Sequence, residues 1–399
     1  MNPSARLEQD LTDWLRETAM PHTPDFTDEI LDQTARIRQR PRWSFIGRWV
    51  PMPDVPPSFL GEGRKVLTTV TLLVVLGLIL AAVAAFVGSR RTLPPPFGRA
   101  GAGLLVVSDA GDIVVIDHET MVARSIVAEM AVDQEPRWSL DGTRVAFLRD
   151  IDNRQAVVIA DAHGRTLATS APFANIDSDS IAWAPNGREV VIAADRGTER
   201  AIYLIDAASG ASRALGVQYI GFEVYWRPPD GRQLLFRTAA SPGSLALVSV
   251  EDGTVVPVPT GGSDGDLLRP LGWTPDGRSV LYQYDGGVDG RQTFVVDVEK
   301  GTETRLDVAF GHVSNDGTRV AGVDRAGRFC VVAVSGGPCD VIEDAVEVEG
   351  THGASVSWSP DDRWIAISHS PVWLVDPMGA VPPRAVADGG PGAWQRTVP

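Results

Sequence analysis

The sequence predicts an all-β fold: a seven-bladed β-propeller, with six or eight blades as the alternatives, preceded by a short helical segment and one transmembrane helix. Three observations predict it. A turn motif led by Trp recurs at intervals of 40 to 47 residues, apolar strands follow each copy, and one 23-residue stretch carries no charge. The 399 residues are 44% hydrophobic and 22% charged with only 2 Cys, which excludes a disordered chain and a disulfide scaffold.

Residues 1–63 read as a cytoplasmic helical head with a basic, aromatic juxtamembrane stretch. Leu7, Leu11, Trp14 and Leu15 form one apolar stripe at helical spacing, which Pro21 ends. Thr23-Pro24-Asp25 then supplies a cap, a first-turn proline and an acidic first turn for a second helix to about Arg38, with Phe26, Ile30, Leu31 and Ile37 on its apolar side. Two short helices bury too little surface to stand alone. Leu7, Leu11, Trp14 and Leu15 are therefore candidate partner contacts, whether with the other helix, a second copy or a cytosolic protein. The run from Arg40 to Met52, with Trp43, Phe45 and Trp49 among arginines, suits the lipid head-group layer or a docking motif.

Residues 64–91 form the membrane unit. The uncharged run 66–88 is bracketed by Arg64-Lys65 and Arg90-Arg91, and is long enough to cross a hydrocarbon core of about 30 Å. Some 65 residues precede it, which argues against a cleaved signal peptide. Basic residues within twenty positions balance across the span, but Arg36, Arg38, Arg40 and Arg42 tip a wider window toward a cytoplasmic N-terminus. The large C-terminal part then lies outside the cytoplasm, where Cys330 and Cys339 either pair across the Ser335-Gly336-Gly337-Pro338 turn or stay as two buried thiols.

After a Pro/Gly linker at 92–102, residues 103–399 become periodic. The motif appears as Trp138-Ser-Leu-Asp-Gly, Trp183-Ala-Pro-Asn-Gly-Arg, Trp226-Arg-Pro-Pro-Asp-Gly-Arg, Trp273-Thr-Pro-Asp-Gly-Arg and Trp358-Ser-Pro-Asp-Asp-Arg, with a copy at Val313 that lacks the Trp. Pro presets φ, Asp or Asn caps the turn, and Gly takes the left-handed position that closes it. Strands such as Val145–Leu148 and Val190–Ala193 follow, then second strands such as Val157–Asp161 and Ile202–Asp206, then a third. A hairpin at 104–117 precedes the first motif without a Trp strand of its own. Gly392-Ala393-Trp394-Gln395-Arg396 supplies it from the far end, closing a ring that leaves no open sheet edge. Trp138, Trp183, Trp226, Trp273, Trp358 and Trp394 are thus structural anchors of the repeat.

The Trp-x-Pro-Asp-Gly-Arg motif with its Ile-Tyr-Leu-Ile-Asp strand resembles the TolB-type, WD-like propeller repeat over about residues 103–399. That resemblance implies architecture more than function, because the repeat serves periplasmic binding proteins, peptidase-associated propellers and other membrane-anchored proteins. A helical head, one span and an outer domain also resemble transmembrane anti-sigma factors, although no His-x-x-x-Cys-x-x-Cys motif accompanies them.

The search for chemistry yields no catalytic, cofactor-binding or metal-binding residue. Gly261-Gly262-Ser263-Asp264-Gly265 has the letters of a nucleophile elbow without an α/β surround. The six histidines, His22, His118, His163, His312, His352 and His369, lack metal-ligand spacing, and most of them read as turn polar groups. Acidic loops at Asp150-Ile151-Asp152-Asn153 and Asp264-Gly265-Asp266 match no EF-hand. Net charge is −17 over residues 103–399 within a total of −15, which repels nucleic acid and favours cationic partners. Arg outnumbers Lys 34 to 2, the usage of a GC-rich bacterial genome. The expectation is a non-catalytic, membrane-anchored binding or sensing protein of the cell envelope. The alternatives are an anti-sigma-like regulator whose head binds a transcription factor, and an envelope hydrolase or lyase.

Overall fold

The computed structural model describes residues 71–77, 94–197, 199–219, 223–239, 244–261, 268–285, 290–342, 355–368, 371–387, 389–390 and 392–398. Seven antiparallel sheets follow one another along the chain from residue 101, and each is one blade. In blade two the order is Asp133–Trp138, Arg144–Ile151, Arg154–Asp161, Thr166–Thr169, and the other blades repeat it. Blade three differs in splitting its inner strand into Asn175–Ile176 and Ala182–Trp183.

Blade one is built from both ends of the propeller. Its inner strand, Ala393–Thr397, pairs antiparallel with Gly101–Asp109, with Trp394 opposite Leu105 and Arg396 opposite Ala102. Seven blades closed by the last strand are therefore what the spacing of the motif predicts.

The core lies between blades rather than within them. Successive side chains of a strand point to opposite faces, so each middle strand feeds two seams. Val190, Ile192 and Ala194 pack into the seam with blade two, while Val191 and Ala193 pack into the seam with blade four. Seven such clusters run around the ring, the last joining Leu105, Val107 and Trp394 to Ala366, Val372 and Leu374. Burial on both faces explains why the middle strands are continuous apolar runs, whereas outer strands such as Val255–Pro257 are exposed. The Asp-closed spelling of the second strands misses those of blades four and six, Leu245–Ser249 and Phe329–Ala333, which do not end in Asp.

Residues 1–87 separate from the propeller as their own unit. Within the expected span only 71–77 is described, as helix with exposed side chains such as Leu72 and Leu73. No helix among the described residues is long and apolar enough to cross a membrane. Leu7, Leu11, Trp14 and Leu15 and the rest of the 66–88 stretch lie outside the described residues.

Candidate functional site: a charged mouth of the central channel

The inner strands surround a central channel, and the marker Trp sets which side chains face it. Each marker Trp is buried in a seam, with Trp183 4% exposed and Trp273 6%. By strand alternation the residue before the marker position, Trp138, Trp226 or Val313, turns inward, which places Arg137, Tyr225 and His312 on the wall of one cavity of about 820 Å³. The seam also carries a repeated hydrogen bond. The indole N–H of Trp183 donates to Arg137 O at 2.9 Å, that of Trp226 to Ala182 O at 3.1 Å, that of Trp358 to His312 O at 2.8 Å and that of Trp394 to Ser357 O at 3.1 Å. Trp138 and Trp273 keep the position, but their indole N–H groups are buried with no partner among the described residues.

At the end of the channel away from the motif turns, the wall becomes charged. Arg137 Nη2 lies 3.1 Å from Asp179 Oδ1, Glu135 Oε2 accepts the Asp179 backbone N–H at 2.8 Å, and Arg269 pairs with buried Glu223. Blades two to five thus contribute five charged side chains to one mouth. Phe310 adds a ring beneath the Arg291 guanidinium, 5.0 Å from its centroid.

Local backbone departures aim these groups. The inner strands of blades two, five and six each carry a bulge, after Gln134, Pro270 and Ala309. Glu135, Asp179 and Phe310 all sit at positive φ, 54°, 59° and 56°, a conformation that costs a non-glycine residue about 1 kcal/mol or more. The fold holds them there. Buried Gln283 accepts the Phe310 N–H at 2.8 Å, and Asp177, bound by Tyr219 Oη and Arg200 Nη2 at 2.6 Å each, fixes the turn that presents Asp179.

Electrostatically the mouth is one unit. Burial raises the Glu135 carboxyl against the pull of Arg137, and burial likewise raises Glu223 against Arg269. Burial pushes the Tyr225 phenol up and takes His312 down to about 4, with Asp179 working the other way on His312. The result is two carboxyls held toward their protonated form and an imidazole held neutral.

None of these channel residues stands out in the sequence except His312, which is named there among histidines without metal-ligand spacing and is found here on an inner strand facing the channel. The signal was the position one, three or four residues before the marker. The acidic loop at Asp150-Ile151-Asp152-Asn153 is a tight hairpin turn, with Asp152 and Asn153 at φ 49° and 61°. Among the described residues no group of three His, Cys, Asp or Glu side chains stands ready to hold a metal ion. Ser263 and the Asp264-Gly265-Asp266 loop lie outside the described residues. Cys330 and Cys339 are joined in a disulfide, Cα to Cα 5.7 Å, across the outer hairpin of blade six.

Comparison with known proteins agrees with the fold. No protein-family model matches the chain, and no curated protein matches it. Among solved structures it is similar to an oligogalacturonate lyase in complex with manganese, at 15% identity over 77% of this chain and 92% of that one, with a TM-score of 0.52. It is also similar to the Swd1 β-propeller domain of Myceliophteria thermophila, at 13% identity over 67% and 90%, TM-score 0.50. TolB from Acinetobacter baumannii matches at 16% identity over 79% and 70%, TM-score 0.48. At these identities the likeness extends to the fold alone. The chain is a β-propeller protein with a charged channel mouth.

Proposed function

We propose that the chain is a single-pass membrane protein of the bacterial cell envelope, with a cytoplasmic N-terminus and an extracytoplasmic propeller that is a non-catalytic binding or sensing module. The observation that supports a binding role is the convergence of Glu135, Arg137, Asp179, Glu223 and Arg269 in the channel mouth. Desolvating charge opposes folding, and the same ring would close as well over apolar side chains. Three carboxyl groups and two guanidiniums converge there, in a module already acidic. That favours a ligand carrying an ammonium or guanidinium group, presented by a peptide, a protein or an envelope component.

The test is calorimetric titration of the full chain in lipid nanodiscs with oligolysine and oligoglutamate peptides. Oligolysine binding that weakens in Glu135→Gln and Asp179→Asn supports the reading, whereas equal or absent binding of both peptides ends it. The membrane reading rests on the uncharged 66–88 stretch and is tested by resistance of the chain to alkaline extraction from membranes. The head, through Leu7, Leu11, Trp14 and Leu15, is proposed to engage a cytosolic protein, in the anti-sigma-like variant a transcription factor. Capture of a sigma factor by the full chain, lost in Leu11→Ala plus Trp14→Ala, tests that variant.

A second reading is favoured by one observation: Glu135 and Glu223 are both raised toward neutrality beside Tyr225 and His312. Carboxyls so placed can act as general acids in an envelope hydrolase or lyase. Turnover of uronate or aminosugar oligomers that is lost in Glu223→Gln would support it.

A further inference from the structure

Three of the residues that depart from the propeller repeat meet one another. The closing position of the motif is Gly142, Gly187, Gly231, Gly277 and Gly317 in blades two to six, each at φ between 65° and 73°; blade seven has Asp362 at φ 61°, its side chain 1% exposed. Two residues after the marker stand Pro185, Pro228, Pro275 and Pro360, but blade two has Leu140, blade six has Asn315 and blade one has Arg396. In blades four, five and six the motif Gly packs on the Pro of the preceding blade. A Cβ on Gly231 would stand 2.5 Å from Pro185, and one on Gly317 3.0 Å from Pro275. Between blades six and seven that apolar contact is replaced by hydrogen bonds. The backbone N–H groups of Asn315 and Asp316 donate to the Asp362 carboxylate at 2.7 and 2.9 Å, and Asn315 Nδ2 donates to Ser359 O at 2.9 Å.

This exchange holds the chain where it enters the propeller. Asn315 Oδ1 accepts from Arg396 Nη1 at 3.2 Å, and Arg396 Nη2 donates to the carbonyls of Pro95, at 2.9 Å, and Gly98. Arg99 pairs with Asp362 at 3.5 Å, and the Ala100 N–H donates to Pro360 O at 2.8 Å. Pro96, Phe97 and Gly98 line the same cavity as Glu135 and Glu223. The segment therefore lies across the motif-turn end of the channel, opposite the charged mouth.

We propose that residues 94–100 are a tethered plug: Asn315, Asp362 and Arg396 replace the repeat residues in order to seat it, and Phe97 floors the channel and limits how deep a ligand reaches from the charged mouth. The depth limit rests on the reading of the channel as the ligand site; the seating does not. Burial lowers the Arg396 guanidinium to about 10, so it stays charged at neutral pH and keeps its grip on the carbonyls. A ligand that reaches the floor meets a segment fastened by the same strand that closes the ring, so occupancy and docking of the segment are thermodynamically linked.

The test is hydrogen exchange on the full chain, comparing wild type with Asn315→Pro plus Asp362→Gly, which restores the repeat. The expected result is exchange of the Ala100 amide faster by about tenfold or more, with the strand amides of Val190–Ala194 unchanged. Unchanged protection at Ala100 overturns the plug. A second variant, Phe97→Ala, leaves the propeller residues intact and is titrated with linear diamines of increasing length. A shift of the preferred length to longer diamines supports Phe97 as the floor, and binding without a shift overturns it. If no diamine binds either protein, the ligand reading of the channel fails, while the exchange result still decides the plug.

Discussion

Arg137 in blade two and Asp179 at the head of blade three meet across a seam, Nη2 to Oδ1 at 3.1 Å, and the charge of Asp179 reaches well beyond that pair. It opposes ionisation of Glu135, Glu223 and Tyr225, and it favours the protonated forms of His312 and Arg269. Asp179→Asn keeps the volume and removes the charge. The expected outcome is a downward move in the titration midpoints of Glu135, Glu223 and His312 together. Carboxyl and imidazole carbon resonances followed through a pH series check it, and a change confined to one of the three would break the description of the mouth as a single unit.

The Glu223–Arg269 pair is asymmetric, with a Glu223 side chain 5% exposed and an Arg269 side chain 42% exposed. Arg269→Met leaves a buried carboxylate without its cation. The expected loss is about 2 kcal/mol at pH 7, less than for a fully buried pair because water reaches Arg269. The folded-state pKa of Glu223, already raised by burial, rises further in the variant. Stability contributed by a raised carboxyl is present below the unfolded value and is lost as pH rises through the folded one. The deficit relative to wild type therefore shrinks on acidification, which denaturant melts at pH 7 and pH 5 measure.

The seam hydrogen bond separates marker tryptophans that look alike in sequence. Trp183→Phe breaks the bond to Arg137 O, with an expected loss of about 1 to 2 kcal/mol including the smaller ring. Trp273→Phe removes an indole N–H that is buried with no partner among the described residues, so its loss is smaller by about 1 kcal/mol. Denaturation midpoints of the two variants side by side check the difference.

The Cys330–Cys339 disulfide closes a loop of sequence separation 9. Chain entropy assigns such a short loop about 2.5 kcal/mol. Reduction, or Cys330→Ala plus Cys339→Ala, is expected to lower the stability of the propeller by about that amount or less, read as a drop in melting temperature.

The architecture was legible because each repeat spells its own turn: Ser139, Ser314 and Ser359 bond to Asp141, Asp316 and Asp361 at 2.6 to 2.7 Å, and the motif Gly residues take positive φ. Local chemistry of that kind is visible in a window of six residues. The charged mouth was not, because Glu135, Asp179, Glu223 and Arg269 lie up to 134 positions apart and only ring closure makes them neighbours. The bulges after Gln134 and Pro270 and the positive φ of Glu135 and Asp179 also break strand alternation at the place where it would have pointed inward. Asp362 and Asn315 were visible as a missing Gly and a missing Pro, but as degeneracies of the motif; their pairing appears only once blades six and seven are adjacent.

Burial in the channel takes the folded-state pKa of His312 down to about 4, against 6.5 for an ordinary histidine. The folded protein therefore holds His312 neutral where the unfolded chain would protonate it. The contribution from keeping it neutral is complete above about pH 6.5 and is lost as pH falls toward 4. Glu135 and Glu223 work with the opposite sign, since their raised values favour the folded state more as pH drops. Wild-type melting temperature alone mixes the two. Comparison with His312→Gln isolates the histidine: the variant is expected to lose less stability than wild type between pH 6.5 and pH 4, and parallel profiles would place the imidazole in water rather than in the channel wall.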